Sequence, residues 1–353
     1  MKILLINNRP QYCGIGRYSL SLFQNLVKLD QNVRLSTWQS RLITEESYYS
    51  NIFEVSIWTL SQIAFILKKI PNKYSIYHIT STSLSYGSLI LKPNVVTVHD
   101  LIPYELPRCF ADHVIAKIID TSKNANKIIC VSNYTKNSLL HHINSNTKIK
   151  VIPLGIQHEI FKPRDKIKSR LRLGLNPDWP IILHVGSEEP RKNIPTLIRT
   201  FHKLQKDIPN AHLIRIGRGT PEIQNLIDNL GIKKNVSYYE DVTNLEYYYN
   251  AADLFVFPSS YEGFGLPPLE AMASGCPVLT SNSTALPEVV GDAGITVDSF
   301  DEENFTFWMH QILTNEDIRE KLIIKGINQS SMFGWDICAK ETLKVYKEVL
   351  QEL

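Results

Sequence analysis

Ser259-Ser260-Tyr261-Glu262-Gly263-Phe264-Gly265-Leu266-Pro267-Pro268-Leu269-Glu270-Ala271-Met272-Ala273-Ser274-Gly275 follows the short apolar run 254–257, and its reading decides the fold. A buried strand should pass through a glycine turn into a helix over about 267–275, since prolines suit the first helical positions and a glycine the end. This places Glu262 on an exposed loop and Glu270 on the first helical turn, both beside a helix N-terminus that favours anions. Carboxylates accept several hydrogen bonds, which matches the vicinal hydroxyls of a ribose or hexose. The plainer reading, a loop acid and a first-turn acid stabilising the helix dipole, leaves unexplained why two glycines and two prolines frame the pair.

The same alternation of short apolar runs and helical patterns continues in both directions. Strands are expected at 2–7, 33–37, 76–79, 95–98, 127–131 and 150–152, then at 181–185, 213–216, 236–239, 254–257, 278–281 and 295–297. Runs of this kind, each followed by a turn and a helix, predict α/β architecture with parallel sheets covered on both faces. The chain has 353 residues, enough for two domains, and the proline-containing segment 151–163 separates the two runs.

Composition removes several classes of function. A net charge of +3, without a long basic run, gives no reason to expect a nucleic-acid partner. Cysteines at 13, 109, 130, 276 and 338 form no C-x-x-C pair, which argues against a disulfide framework or a zinc site and fits a reducing cytoplasm. The opening apolar run at 2–6 is short for a signal peptide, and no segment reaches the roughly 20 apolar residues of a membrane span. The stretch 52–70 reads first as an amphipathic helix packed on its own domain, and second as an interfacial helix that would bring peripheral membrane association.

Open parallel sheets bind ligands beyond the carboxyl ends of their strands, and the chemistry-bearing residues fall there. Gly14-Ile15-Gly16 follows the first strand and opens a helix, either as an ordinary tight turn or as a loop whose amides approach a phosphate. The full G-x-G-x-x-G pattern of a dinucleotide oxidoreductase is absent. Arg191 and Lys192 precede a helix whose dipole two cations oppose, so either they are solvated or a bound anion compensates them. His99-Asp100 leaves a buried strand; by itself His99 reads as a satisfied structural histidine. The tyrosines at 247–249 read as helix packing, and Met272 and Cys276 as core or turn residues.

The segment around Glu262 and Glu270 resembles the E-x7-E region of retaining glycosyltransferases of family four. Glu189-Pro190-Arg191-Lys192-Asn193, Val98-His99-Asp100-Leu101-Ile102-Pro103, Gly14-Ile15-Gly16-Arg17-Tyr18 and Phe333-Gly334-Trp335-Asp336 fall in the family's order, most similar to bacterial and archaeal mannosyltransferase members. The resemblance implies the GT-B fold: two Rossmann-like domains, 1–160 on the acceptor side and 161–334 binding the nucleotide sugar, facing across a cleft. It also implies that the helix 335–353 crosses back to the first domain. By the same resemblance His99, Glu262, Lys192 and Arg191 serve catalysis, with His99 near the 6-hydroxyl of the transferred hexose and Glu262 on the donor sugar. Arg191, Lys192 and the amides at Gly14 and Gly16 would meet the diphosphate, and Glu270 the ribose. Gly217 and Glu240 would mark backbone contacts to phosphate and base, while Phe264, Gly265 and Leu266 would offer amides to the sugar.

The expected activity is retaining transfer of a hexose, mannose first, from a nucleoside-diphosphate sugar to a hydroxyl of a glycan or lipid-linked glycan. GDP-mannose is the first candidate donor, and neither a cofactor nor a metal is expected. The expected location is the cytoplasm, with the inner face of the membrane as a second possibility. A sugar-nucleotide 2-epimerase and a non-catalytic nucleotide-sugar-binding subunit are the rivals; intact His99, Lys192 and Glu262 argue against the latter.

Overall fold

The computed structural model describes residues 1–10, 13–37, 65–66, 70–71, 73–106, 110–143 and 149–353. Most of the 52–70 stretch, with Tyr48, Tyr49 and Cys109, lies outside the described residues; within it, Ile66 and Ile70 are buried in a core cluster.

The chain divides into two compact units, one formed by 1–155 with 335–353 and the other by 156–334. The first unit holds strands β1 (Lys2–Asn7), β2 (Asn32–Thr37), β3 (Ile76–Ile79), β4 (Asn94–Val98), β5 (Lys127–Cys130) and β6 (Ile149–Val151) in the order β2-β1-β3-β4-β5-β6. Among the described residues its strand pairings are all parallel. Ile3, Leu5, Ile6, Val95, Val96 and Val98 are wholly buried, as expected for strands covered on both faces. Helix Gly14–Lys28 follows β1, and helix Trp335–Gln351 belongs to this unit although it ends the chain. Tyr346 on that last helix seats its Oη 2.5 Å from Nδ1 of the buried His78, and Lys127 pairs with Glu352 at 2.8 Å.

The second unit repeats the plan with β7 (Ile181–Val185), β8 (His212–Ile216), β9 (Val236–Tyr239), β10 (Leu254–Phe257), β11 (Val278–Ser281) and β12 (Ile295–Val297), ordered β12-β11-β10-β7-β8-β9 and wholly parallel. Its first strand, β7, lies between β8 and β10, so chain direction across the sheet reverses at the β7/β10 junction. Loops leaving two such strands diverge to opposite faces and open a crevice between them. The loop after β7 carries Arg191 and Lys192, and the loop after β10 carries Glu262.

Candidate functional site

In the second unit the β7 and β10 loops meet through charge. Lys192 Nζ donates to Glu262 Oε1 at 2.6 Å, Arg191 Nη1 to the same oxygen at 3.1 Å, and Ser259 Oγ again to it at 2.6 Å. Arg191 also donates through Nη1 to the Tyr261 carbonyl and through Nε to Glu189, each at 3.1 Å. In return the Arg191 carbonyl accepts from the Ser260 amide at 2.7 Å.

This geometry corrects one sequence expectation and excludes one alternative. Glu262 is only 9% exposed, not on an open loop, because the turn folds its side chain inward onto the two cations. Lys192, at 8% exposure, is not solvated either; its ammonium stands 4.9 Å from the centre of the Phe257 ring. Burial raises the Glu262 carboxyl, but Lys192 and then Arg191 outweigh it and hold it below the ordinary carboxylate range. Burial lowers the Lys192 ammonium, with Glu262 opposing. Within the protein, then, the compensating charge for both cations is already a carboxylate.

The turn after Glu262 needs its glycine. Gly265 has φ +122°, and a Cβ there would sit 2.8 Å from Leu286 Cδ2. Helix Leu266–Ala273 starts there with no side-chain cap, while Phe264 and Leu266 are buried. Glu270 lies in the second helical turn rather than the first, is 3% exposed, and accepts from Tyr249 Oη at 3.0 Å. Tyr249 thus packs in a helix, as expected, and also donates to the Glu270 carboxylate, a contact its place in a tyrosine run did not signal.

Gly217 is required for a different reason from the expected one. A Cβ at its φ of +138° would fall 2.2 Å from the Gly186 carbonyl oxygen, and its own amide donates to the Tyr239 carbonyl at 2.9 Å. It is where the backbones just past β7 and β8 come closest, and its N–H is taken by the next strand rather than offered to a phosphate. Beyond Tyr239, Glu240 is exposed and Asp241 turns through a left-handed conformation at φ 49°.

In the first unit Gly14 and Gly16 lie in the first turn of the helix after β1, where Cys13 caps the end by accepting from the Gly16 amide at 3.4 Å. A Cβ at Gly14 would meet nothing within 4 Å, so described packing does not demand glycine there. His99 leaves β4 and is buried, its Nε2 2.9 Å from the Thr80 carbonyl. A carbonyl only accepts, so the proton resides on Nε2 and Nδ1 is the acceptor. Burial moves the imidazole down to about 4, against the Thr80 bond, so it is neutral at physiological pH. Tyr18 meets its ring edge-on at 4.8 Å between centroids. Asp100 accepts from the Ile102 amide at 3.2 Å and fixes the turn.

The chain is similar in sequence and fold to known proteins. Residues 165–329 match the model described as glycosyl transferases group 1, and residues 12–160 the one described as Glycosyltransferase Family 4. The O-antigen chain mannosyltransferase B of Escherichia coli is 27% identical over 388 residues, spanning 98% of this chain and 100% of that protein. A D-inositol 3-phosphate glycosyltransferase of Segniliparus rotundus is 30% identical over 214 residues, 58% of this chain and 48% of its own length. Among solved structures, sucrose-phosphate synthase from Thermosynechococcus elongatus shares the fold over the whole of both chains, with a TM-score of 0.83 at 21% identity.

Proposed function

This chain belongs to the glycosyltransferases of family 4, and on that premise we propose that it moves a hexose, mannose first, from a nucleoside-diphosphate sugar to a hydroxyl of a glycan or lipid-linked glycan with retention. The fold is GT-B, with two Rossmann-like units. The observation that carries the reading is the convergence of Lys192 and Arg191 on Glu262 at the direction reversal of the second sheet, the place where such sheets take phosphorylated ligands.

Chemically, the bond from the anomeric carbon to the phosphate oxygen breaks and negative charge grows on the diphosphate. Lys192 and Arg191, held in fixed orientation by one carboxylate oxygen, stabilise that charge without reorganising. Attack then comes from the face the phosphate leaves, and the departing phosphate takes the proton of the acceptor hydroxyl. Neutral His99, with Nε2–H committed to Thr80, presents Nδ1 as an acceptor to a sugar hydroxyl. Glu270 would receive the ribose hydroxyls. Protein cations supply the charge compensation, so the reaction is proposed to proceed without a metal. GDP-mannose is the proposed donor and a glycan or lipid-linked glycan, met in the cytoplasm or at the inner membrane face, the proposed acceptor; mannose as the sugar is supported by the name of the Escherichia coli relative, an O-antigen chain mannosyltransferase.

A thermal-shift panel of GDP-, UDP- and ADP-sugars tests the donor. A ligand at 100 times its dissociation constant stabilises by about 2.7 kcal/mol, a clear rise in melting temperature. GDP-mannose should give the largest shift; no shift with any nucleotide sugar would contradict the proposal.

A further inference from the structure

Glu188, in the loop after β7, ties that loop to the loop after β8 and to strand β9. Its Oε2 accepts from the Thr220 amide at 2.6 Å, and its Oε1 from Tyr238 Oη at 2.9 Å and Arg215 Nη2 at 3.3 Å. Glu188 belongs to the loop after β7, Thr220 to the loop after β8, and Tyr238 to β9 just before the 239–241 loop. Arg215, in the apolar strand β8, is wholly buried and also binds His184 Nδ1 through Nη1. Glu188 is 1% exposed in its side chain.

Stability does not account for such a pair. Burying an arginine and a carboxylate costs several kcal/mol each before they attract, and well-packed apolar replacements commonly leave a protein as stable or more so. Arg215 Nε and His184 Nε2 are buried without a hydrogen-bond partner, so the cluster is not even fully satisfied. What the pair does accomplish is geometric. The β7 loop continues four residues on into Lys192, and the β9 end continues into Glu240 and Asp241. One carboxylate therefore fixes the separation between the two cations and the loop proposed to meet the nucleoside.

We propose that Glu188, held by Arg215, is a positioning residue that sets the spacing between the diphosphate half and the nucleoside half of the donor site. This rests on the reading that the second unit binds a nucleoside diphosphate. Two half-sites at a matched spacing bind a linked ligand far more tightly than either fragment, and the gain is lost when the spacing slackens. The fragments themselves should be unaffected.

Calorimetric titration of the full chain with GDP, UDP and inorganic pyrophosphate separates these effects, using Tyr238→Phe and Glu188→Gln. Tyr238→Phe removes one hydroxyl and should fold even if Glu188→Gln does not. The nucleoside diphosphate that binds the unaltered chain should weaken at least about threefold in Tyr238→Phe and about tenfold in Glu188→Gln. Pyrophosphate should change by less than about twofold in both. A parallel loss of nucleotide and pyrophosphate, or no loss of either, would overturn the proposal alone. Failure of the unaltered chain to bind either nucleotide would overturn the underlying reading and the proposal with it.

Discussion

Lys192 Nζ and Glu262 Oε1 are 2.6 Å apart, both residues buried, although 70 positions separate them in the chain. Two strands that adjoin in the sheet only because its direction reverses between them deliver these charges to one point. The cations of the site are therefore aimed but already neutralised in part, and the variants of this pair should behave unequally.

Lys192→Met should abolish measurable nucleotide binding and also lower stability. It leaves Glu262 buried with only Arg191 and Ser259 as donors, and breaking a buried pair from one side costs about 3 kcal/mol or more. Adding Glu262→Gln should restore much of the melting temperature and none of the activity. Recovery of neither, or of both, would show that the pair is not what couples the two residues.

Glu262→Gln alone should cut turnover by about a hundredfold while nucleotide affinity holds or tightens, because the change removes a negative charge next to the diphosphate cations and leaves the amide oxygen to accept. Direct titration with nucleotide beside steady-state kinetics checks this. Equal losses in affinity and turnover would contradict it.

Glu270→Gln should raise the donor KM with little change in kcat, and Tyr249→Phe should do the same more weakly, since Tyr249 acts only by orienting Glu270. An effect confined to kcat in either variant would move Glu270 to the reacting centre.

The two buried histidines of the first unit predict a pH dependence of stability. Burial lowers His99 to about 4 and His78 to about 3, each from an ordinary value near 6.5. In the unfolded chain both take up a proton as pH falls through about 6.5, whereas in the fold they do not, so stability is full above that value and falls on acidification toward pH 4. Each contributes about 1.4 kcal/mol per pH unit across that window. Urea unfolding at pH 7, 6 and 5 should show the decline, and His78→Asn should reduce its slope. A flat profile would place the protons differently.

Neutral His99 also predicts that transfer shows no acid limb near pH 6.5. His99→Ala should slow transfer by about 10- to 1000-fold through lost orientation, with nucleotide binding intact. Loss of nucleotide binding as severe as in Lys192→Met would assign His99 elsewhere.

The fold was legible because parallel strands buried on both faces leave continuous apolar runs between glycine and proline turns. Among the described residues, each of the twelve strands lies within a residue of a run such as 254–257 or 295–297. The candidate residues Glu262, Lys192 and His99 stood out as polar groups just past strand ends, and only the resemblance to a known family gave them roles, since by itself His99 read as structural. Their partners did not stand out. Pairing of Lys192 with Glu262 depends on which strands adjoin, a property of sheet order that local pattern does not carry. Arg215 left one trace, a charge inside an apolar strand, and Glu188 none, since beside Glu189 it reads as one of two surface acids. Gly217 was identified but its cause was not, because its close approach to Gly186 exists only in three dimensions.

Exhaustive chelation should leave most of the transfer rate. If charge on the departing diphosphate is met by Lys192 and Arg191, removing divalent ions costs little, whereas a loss beyond about tenfold that magnesium or manganese restores would mean a metal supplies well over about 1 kcal/mol of the barrier reduction.

The most direct test of transferase activity is the rate of GDP release from GDP-mannose by the full chain, with and without a mannose-terminated glycan acceptor, together with mass analysis of the glycan. Release that rises steeply with acceptor, matched by a mass gain of one hexose per nucleotide freed, is the result predicted here. Nucleotide release independent of acceptor, with a changed free sugar and an unaltered glycan, would contradict it.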